Sequence, residues 1–552
     1  MKPGCEVIEV NFEELAALKE RARQGPLGEE DYRRLEAAIQ ALRQLIDMIG
    51  DKDTTISGLR ALLEKPSTEK TSKVLEQAGL GAPPKGGSSP SARMEPKPGH
   101  GRNGAAAYRE ARRIRIAHGT LTPGDRCPGC LKGKVYHQKD PALRIRVVGQ
   151  APIEATVYEL ERLRCNLCGD IFEAEAPEGV GEKKYDASAS AMIALLRYGS
   201  GFPSYRLQGL EGSLGIPLPS STQWEIVAET AGVIRPAFDE LIRQAAQAEV
   251  FYNDDTSMKV LALAEAIRAE VKEASSSSRE RTGLFTSGIV STRQGQRVAL
   301  FFTGRRHAGE NFARVLAHRA EGLSPPIQMC DALSRNLPKL PKKLEILVGN
   351  CNTHARRHFV DVTPNFPEEC RFVLESLGEV YGYDAQAKEQ GLSPEERLRF
   401  HQEHSLPVMN TMHAWLEAQF AEKKVEPNSG LGSAIKYVLR HWDRLTLFLR
   451  QAGAPLDSNI VERALKRAIL HRKNSLFYKT ENGAEVGDLF MSLIHTCQLN
   501  GVNPFDYLTE LQKHAAELAR DPAAWMPWNY RQTLQQAGTG VASSQAPSGQ
   551  KP

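Results

Sequence analysis

The sequence predicts a multidomain α+β protein, and three observations carry that reading. The chain runs to 552 residues, too long for one ordinary hydrophobic core. Two Cys-x-x-Cys pairs, Cys127/Cys130 and Cys165/Cys168, precede a stretch with helical patterning. From Glu249 the pattern turns to short β-prone runs and then back to helices. Hydrophobic content of 41% and charged content of 25% are those of a soluble globular protein. The net charge is only +4, so a polyanionic partner has to be argued from where the charge sits. Between Pro84 and Lys134 eleven Lys/Arg face three acids, a local +8 that favours phosphate backbones without selecting a sequence.

Residues 1–80 are read as an N-terminal helical region. Within it Leu35, Ile39, Leu42, Ile46, Ile49, Ile56 and Leu63 follow an alternating 4-3 spacing, with Asp53 and Arg60 in the remaining slots. That is a short coiled-coil seam for self-association, or an amphipathic helix packed on its own protein. No apolar run follows the opening Met-Lys-Pro-Gly-Cys-Glu, so no secretory signal is expected. No stretch approaches the ~18 apolar residues of a membrane span. Nine cysteines, an odd number, fit a reducing compartment with a metal site better than a disulfide framework. Residues 81–118 are a basic linker, Gly/Pro/Ser-rich to about 107.

Residues 119–175 read as a zinc ribbon. Each Cys-x-x-Cys knuckle lets two thiolates reach one ion, and two knuckles, 34 residues apart, complete a closed tetrahedral site for structural Zn²⁺. Between them, Leu143–Val148 and Thr156–Leu163 are β-prone. Lys132, Lys134, Arg144, Arg146, Arg162 and Arg164 around the knuckles suit DNA contact or a solvated strand face. Residues 176–248 are helical. Tyr205–Leu214, the turn Gly215–Pro219 and a second helix capped at Ser220 have the form of a helix-turn-helix, or of a plain packed pair.

From 249 to about 480 a mixed α/β domain is expected, with strands at Val250–Asp254, Lys259–Ala264, Gly288–Ser291, Arg297–Thr303, Ile327–Cys330 and Glu345–Val348. A helical run covers Gly309–Ala320, and helices over about 363–450 look inserted. Three acids stand out on this framework. Asp254 ends one strand, beside Asp255. Asp331 follows another, and Glu462 lies in the first turn of a basic helix carrying Arg463, Lys466, Arg467, Arg472 and Lys473. Each has an ordinary alternative: a turn, a cap after a strand, and an Asn459-x-x-Glu462 capping box. Together they describe an RNase-H-like site whose carboxylates hold two divalent cations about 4 Å apart for phosphoryl transfer. Residues 481–536 are a C-terminal helical region, and 537–552 a disordered tail.

Several separate segments carry a family resemblance. They are Asp254-Asp-Thr-Ser-Met-Lys-Val-Leu261, Cys351-Asn-Thr-His-Ala-Arg-Arg-His-Phe359, Asp457-Ser-Asn-Ile-Val-Glu-Arg-Ala464, His471-Arg-Lys-Asn-Ser-Leu-Phe477 and Leu493–Leu508. With a zinc ribbon and a leading coiled coil in the expected order, the chain resembles transposases of the insertion-sequence 66 family over roughly residues 30–530. The resemblance implies that Asp254, Asp331 and Glu462 form a DDE triad using Mg²⁺ or Mn²⁺, with 363–450 inserted between its second and third members. It implies cleavage at the ends of an insertion sequence followed by joining of a 3′-hydroxyl to target DNA. His354, Arg356 and Arg357 would hold phosphate or the scissile strand, and Arg472 and Lys473 the DNA backbone. Homo-oligomers, accessory transposition proteins and a bacterial cytoplasmic, nucleoid-associated location are expected in consequence. The chain departs from the family at Asp255, where Glu is usual, which leaves two candidates for the first ligand. It departs again at Ala332-Leu-Ser-Arg, where a Gly-Tyr pair is usual, and at Cys351-Asn-Thr, which lacks a Trp. The alternative is a catalytically inactive zinc-ribbon DNA-binding protein derived from such a transposase.

Overall fold

The computed structural model describes Gly28, Asp31, 70–78, Leu80, Ala106, 113–138, 142–147, 150–168, 170–177, 179–180, 183–273, 282–342 and 344–543. The 4-3 spaced seam, most of the linker and the end of the tail lie outside the described residues. The elements, in chain order, begin with helix α1 (Thr71–Gln77) and the two-stranded hairpin β1 (Arg162–Arg164) and β2 (Ile171–Glu173). Then come α2 (Ala187–Ala194), α3 (Ser204–Ser213), α4 (Ser220–Ala245), β3 (Val250–Ser257), α5 (Leu261–Glu273), β4 (Phe285–Arg293), β5 (Gln296–Gly304) and α6 (Ala308–Leu316). They are followed by β6 (Ile327–Cys330), β7 (Leu347–Asn350), α7 (Asn352–Val362), α8 (Pro367–Glu389), α9 (Pro394–Ala421), α10 (Gly430–Arg440) and α11 (Trp442–Leu445). The last are α12 (Asn459–Ser475), α13 (Glu481–Leu499), α14 (Pro504–Lys513), α15 (Ala515–Arg520) and α16 (Tyr530–Ser543). No helix among the described residues is long and apolar enough to cross a bilayer.

The centre is a five-stranded sheet in the order β5-β4-β3-β6-β7. β4 runs antiparallel to both β3 and β5, whereas β6 runs parallel to β3 and β7 parallel to β6. All four residues of β6 are buried, as a parallel strand covered on both faces requires. One apolar core lies under β3–β5 with α2, α4, α12 and α13 around it. A second is built by α7–α10 and receives Val74 and Leu75 of α1. Pro367 and Pro394 occupy first-turn positions of α8 and α9, where the missing N–H costs nothing.

The edge strand β5 is covered in an unusual way. Its outward N–H groups at Arg297, Ala299, Phe301 and Thr303 donate to side chains four residues apart in reverse order: Asn500 Oδ1 (3.1 Å), Thr496 Oγ1 (3.0 Å), Ser492 Oγ (3.0 Å) and Asp488 Oδ2 (2.5 Å). Two strand residues rise about 6.6 Å and four helical residues about 6 Å, so an antiparallel helix and strand stay in step over this distance. Polar side chains on α13 and its C-cap thereby replace a missing sixth strand and protect the edge.

Four expectations are corrected. The tail expected to be disordered from 537 is helical as far as Ser543, where α16 ends. Lys259–Ala264 is not a strand: only Val260 bridges, to Tyr478, and the Ala/Leu-rich sequence from Leu261 starts α5 instead. Within 119–175 the strands are Arg162–Arg164 and Ile171–Glu173, which flank the second cysteine pair, and 142–147 carries no strand. The Cys165–Cys168 turn joins these two strands, and that hairpin decides which β-prone residues pair. Ser220 is the first residue of α4 rather than its cap, and its N–H and Oγ both donate to Gln208 Oε1 of α3. The remaining strands fall where expected, with β3, β4 and β7 running up to three residues beyond the expected ends.

Replacing Thr496 with Val and Ser492 with Ala leaves two buried β5 N–H groups without acceptors. Each is expected to cost about 1–3 kcal/mol in urea unfolding, with hydrogen exchange accelerated at Ala299 and Phe301. Wild-type protection at those two amides would contradict this role for α13.

Candidate active site

The parallel register Val250↔Ile327, Phe251↔Gln328, Tyr252↔Met329 carries Asp254 and Asp331 to the same level. Asp331 directly follows the end of β6, but Asp254 does not end its strand as expected, because β3 stays paired to β4 as far as Ser257. Asn336, on a short turn after β6, binds both: its Nδ2 donates to Asp331 Oδ1 and lies 3.4 Å from Asp254 Oδ1. Its own carbonyl accepts from Asn253 Nδ2 (2.8 Å) and Gln328 Nε2 (2.7 Å), and Gln328 also donates to Asn253 Oδ1 (2.7 Å). Asn253, Gln328 and Asn336 are wholly buried, so this amide network fixes the turn below the two carboxylates. Asp331 also caps the turn as the ordinary reading held, accepting Leu333 N–H at 3.1 Å. Burial pushes the Asp254 carboxyl up to about 6, and the neighbouring charges of Asp331 and Asp255 push the same way.

Strand alternation turns Asp255 to the opposite face. There its buried carboxylate meets His307 Nδ1 (2.9 Å), the Ala308 N–H at the start of α6 (3.4 Å) and Arg335 (3.5 Å). Asp255 is thus held by protein partners, whereas Asp254 faces the site.

Glu462 lies in the first turn of α12, as expected, but forms no capping box. Ser458 is the N-cap, Asn459 is already helical, and Asn459 Nδ2 reaches Thr353 Oγ1 at 3.4 Å. α12 lies across β3 and β4. A Cβ on Gly288, the register partner of Asp254, would come within 2.9 Å of Leu465 on that helix. The Glu462 carboxylate faces His354, with Oε1 3.6 Å from Nε2. Cys351 Sγ, a His354 ring nitrogen and a Glu462 oxygen lie within 4.8 Å of one another. The structure therefore gathers Asp254 with Asp331, and Glu462 with His354 and Cys351. The two groups are joined where Cys351 N–H donates to Cys330 O (3.0 Å) and Asn350 Nδ2 to Asp331 O (3.3 Å). A hydrogen bond to Cys351, with Glu462 nearby, pushes the His354 imidazole up to about 9.

The expected DNA-binding cations divide. Arg463, Lys466 and Lys473 are exposed, and at 100° per residue they share one face of α12. Arg467 instead donates to Gly199 O (2.6 Å) and Gln498 Oε1 (2.7 Å). Arg472 ties α12 to the end of β3 through Thr256 Oγ1 (3.1 Å), Ser257 Oγ (2.6 Å) and the Ser257 carbonyl. Arg356 donates to Thr71 Oγ1 of α1 (3.1 Å), and Arg357 is half-buried on α7. At the cysteine pairs, Gly133 N–H donates to Cys130 Sγ (3.4 Å) and Leu167 N–H to Cys165 Sγ (3.5 Å). Cys168 Sγ lies 3.2 Å from Asp170 Oδ2. Sequence reasoning missed Asn336, which no motif marks, and the meeting of Cys351 with His354 and Glu462, which the Cys-x-x-His spacing did signal.

Asp254 has a folded pKa of about 6 against an ordinary 3.8, so the folded protein holds this proton more tightly than the unfolded chain. That contribution is full below the ordinary value and is lost as pH rises through about 6, an effect of about 3 kcal/mol. With EDTA present, Asp254→Asn should therefore be more stable than wild type at pH 8, and the gain should shrink towards pH 4. A variant less stable than wild type at both pH values would contradict the crowded-carboxylate description.

The model of the transposase IS66 family matches residues 183–486, more than half of the 552-residue chain and the stretch that holds the sheet and all three acids. The chain is also similar to two uncharacterized proteins of Sinorhizobium fredii (strain NBRC 101917 / NGR234). It is 26% identical to y4jD over 74% of this chain and 79% of that protein, and 25% identical to y4hP over 67% of each. On the extent of the family match, the chain belongs to the transposase IS66 family.

Proposed function

We propose that this protein cuts DNA at the ends of its insertion sequence and joins the freed 3′-hydroxyl to target DNA by two-metal-ion phosphoryl transfer. The observation that carries the chemistry is the meeting of Asp254, on β3, with Asp331, just past the end of the neighbouring parallel strand β6. The sheet order β5-β4-β3-β6-β7, with α12 laid across it, supports an RNase-H-like reading of the domain. Hard carboxylate oxygens, with the Asp254 carboxyl pushed up first by burial and further by its like-charged neighbours, fit Mg²⁺ or Mn²⁺. When bound, such a pair of ions activates the attacking oxygen and stabilises the leaving one.

The chain's own residues do the rest. Asp254, Asp331 and Glu462 present the ligand oxygens, and Asp255 serves as an anchor through His307 and α6. Asn336 orients the aspartate pair from below, and Arg472 fixes α12 against β3. Arg463, Lys466 and Lys473 form the DNA-backbone contact along one helix face, with His354, Arg356 and Arg357 nearer the scissile strand. The two cysteine turns would hold one structural Zn²⁺ between them. Backbone N–H groups aimed at two of the sulfurs support each turn as a thiolate knuckle, while among the described residues the four sulfurs are not gathered within ligand reach of one another. The N-terminal seam joins copies of the chain, accessory transposition proteins assist, and the protein acts on DNA in the bacterial cytoplasm.

One observation favours a second reading, an inactive DNA-binding derivative: the Glu462 carboxylate faces His354 and Cys351. The two readings part on cleavage. Asp254→Asn and Glu462→Gln should each slow Mg²⁺-dependent cleavage of element ends by at least about 100-fold, with DNA affinity nearly unchanged. Wild-type cleavage rates in either variant refute the assignment. Salt-sensitive binding by wild type with no metal-dependent cleavage favours the derivative. Replacing Arg463, Lys466 and Lys473 together with Ala should lower the slope of log affinity against log salt by up to about 3; an unchanged slope removes this face from the DNA contact.

A further inference from the structure

The cluster at Cys351 points to an additional metal site. Cys351 directly follows β7 as the N-cap of α7, and His354 stands in the first turn of that helix. Glu462 enters from the first turn of α12, so two helix starts face each other across the three side chains. Independent bonds lock the two starts together. Asn352 N–H and Nδ2 both donate to Leu456 O, just before α12 (3.0 and 3.2 Å), and Ser458 N–H donates to Cys351 Sγ (3.3 Å).

Cys351 is wholly buried, and its sulfur lies with a His354 nitrogen and a Glu462 oxygen inside a 4.8 Å span. Two buried polar atoms of the same cluster, His354 Nδ1 and Glu462 Oε1, have no hydrogen-bond partner. Buried polar atoms without partners are rare and call for a cause, such as a missing ion. A cation drawn in by three anionic or lone-pair donors would satisfy the group. One thiolate, one imidazole and one carboxylate select a borderline ion of the Zn²⁺ class over Mg²⁺, and three protein ligands leave a fourth position open.

We propose that Cys351, His354 and Glu462 bind a thiophilic divalent ion at a site distinct from the hard-ion pair of Asp254 and Asp331. Loading releases the thiol proton and any imidazole proton to solvent. The site shares Glu462 with the proposed catalytic centre but does not depend on that centre being active.

Metal-stripped, reduced full-length protein titrated with Co²⁺ tests this, since Co²⁺ reports thiolate ligation by charge-transfer absorption and tetrahedral geometry by its d–d bands. Wild type should bind about one equivalent more than Cys351→Ser, and His354→Gln should weaken that equivalent by at least about tenfold. Asp254→Asn and a Cys127→Ser/Cys130→Ser double variant should both keep it, and Zn²⁺ but not excess Mg²⁺ should displace it. If Cys351→Ser fails to fold, the partly exposed His354→Gln gives the same difference spectrum. Equal stoichiometry and spectra in wild type, Cys351→Ser and His354→Gln overturn the site. That result leaves the cleavage reading intact, because Asp254→Asn tests cleavage separately.

Discussion

Two like charges forced together at the mouth of a buried sheet set the terms for everything around them. Asp254 and Asp331 leave adjacent parallel strands at one level, and the register gives them no room to separate. Such a pair is stable only if something holds one proton or brings positive charge. Burial, helped by the neighbouring charges, pushes Asp254 up to about 6, which holds such a proton. In the proposed chemistry a divalent cation takes the proton's place, and the arrangement that costs stability would give the site its affinity for metal.

The scaffold reads as a means of tolerating that cost. The all-amide network of Asn253, Gln328 and Asn336 carries no net charge, yet fixes the turn that touches both carboxylates. Asp255 takes the opposite role one residue away, its charge absorbed by His307, Arg335 and the start of α6. On the far edge, α13 supplies side-chain acceptors to β5, which closes the sheet without a further strand. The inserted helices α8–α10 build their own core and bring Leu456 and Leu445 to the start of α7, where Cys351 and Glu462 meet.

Much of this was legible in the sequence. β6 was visible to the residue because Ile327-Gln-Met-Cys330, apolar but for Gln328, is followed at once by Asp, and Glu462 fell in a first helical turn as its neighbours implied. Lys259–Ala264 was misread because a Val-Leu pair resembles a strand, while the Ala-rich continuation, together with the departure of the chain from the sheet, decides for helix. Ser220 was misread because a hydroxyl before an apolar run looks like a cap, whereas the acceptor comes from Gln208 of the preceding helix. Long-range partners of this kind leave no local trace. The same holds for Arg467 and Arg472, whose protein acceptors lie on other elements, and for Asn336, whose role depends on which strands become neighbours.

The central claim is that Asp254, Asp331 and Glu462 jointly ligate a pair of hard cations. Anomalous diffraction from Mn²⁺-loaded crystals of the full chain bound to an element end measures this directly. Two Mn²⁺ peaks about 4 Å apart, touching all three carboxylates, are predicted. An empty space between Asp254 and Asp331, with Glu462 still turned to His354 and Cys351, would contradict it.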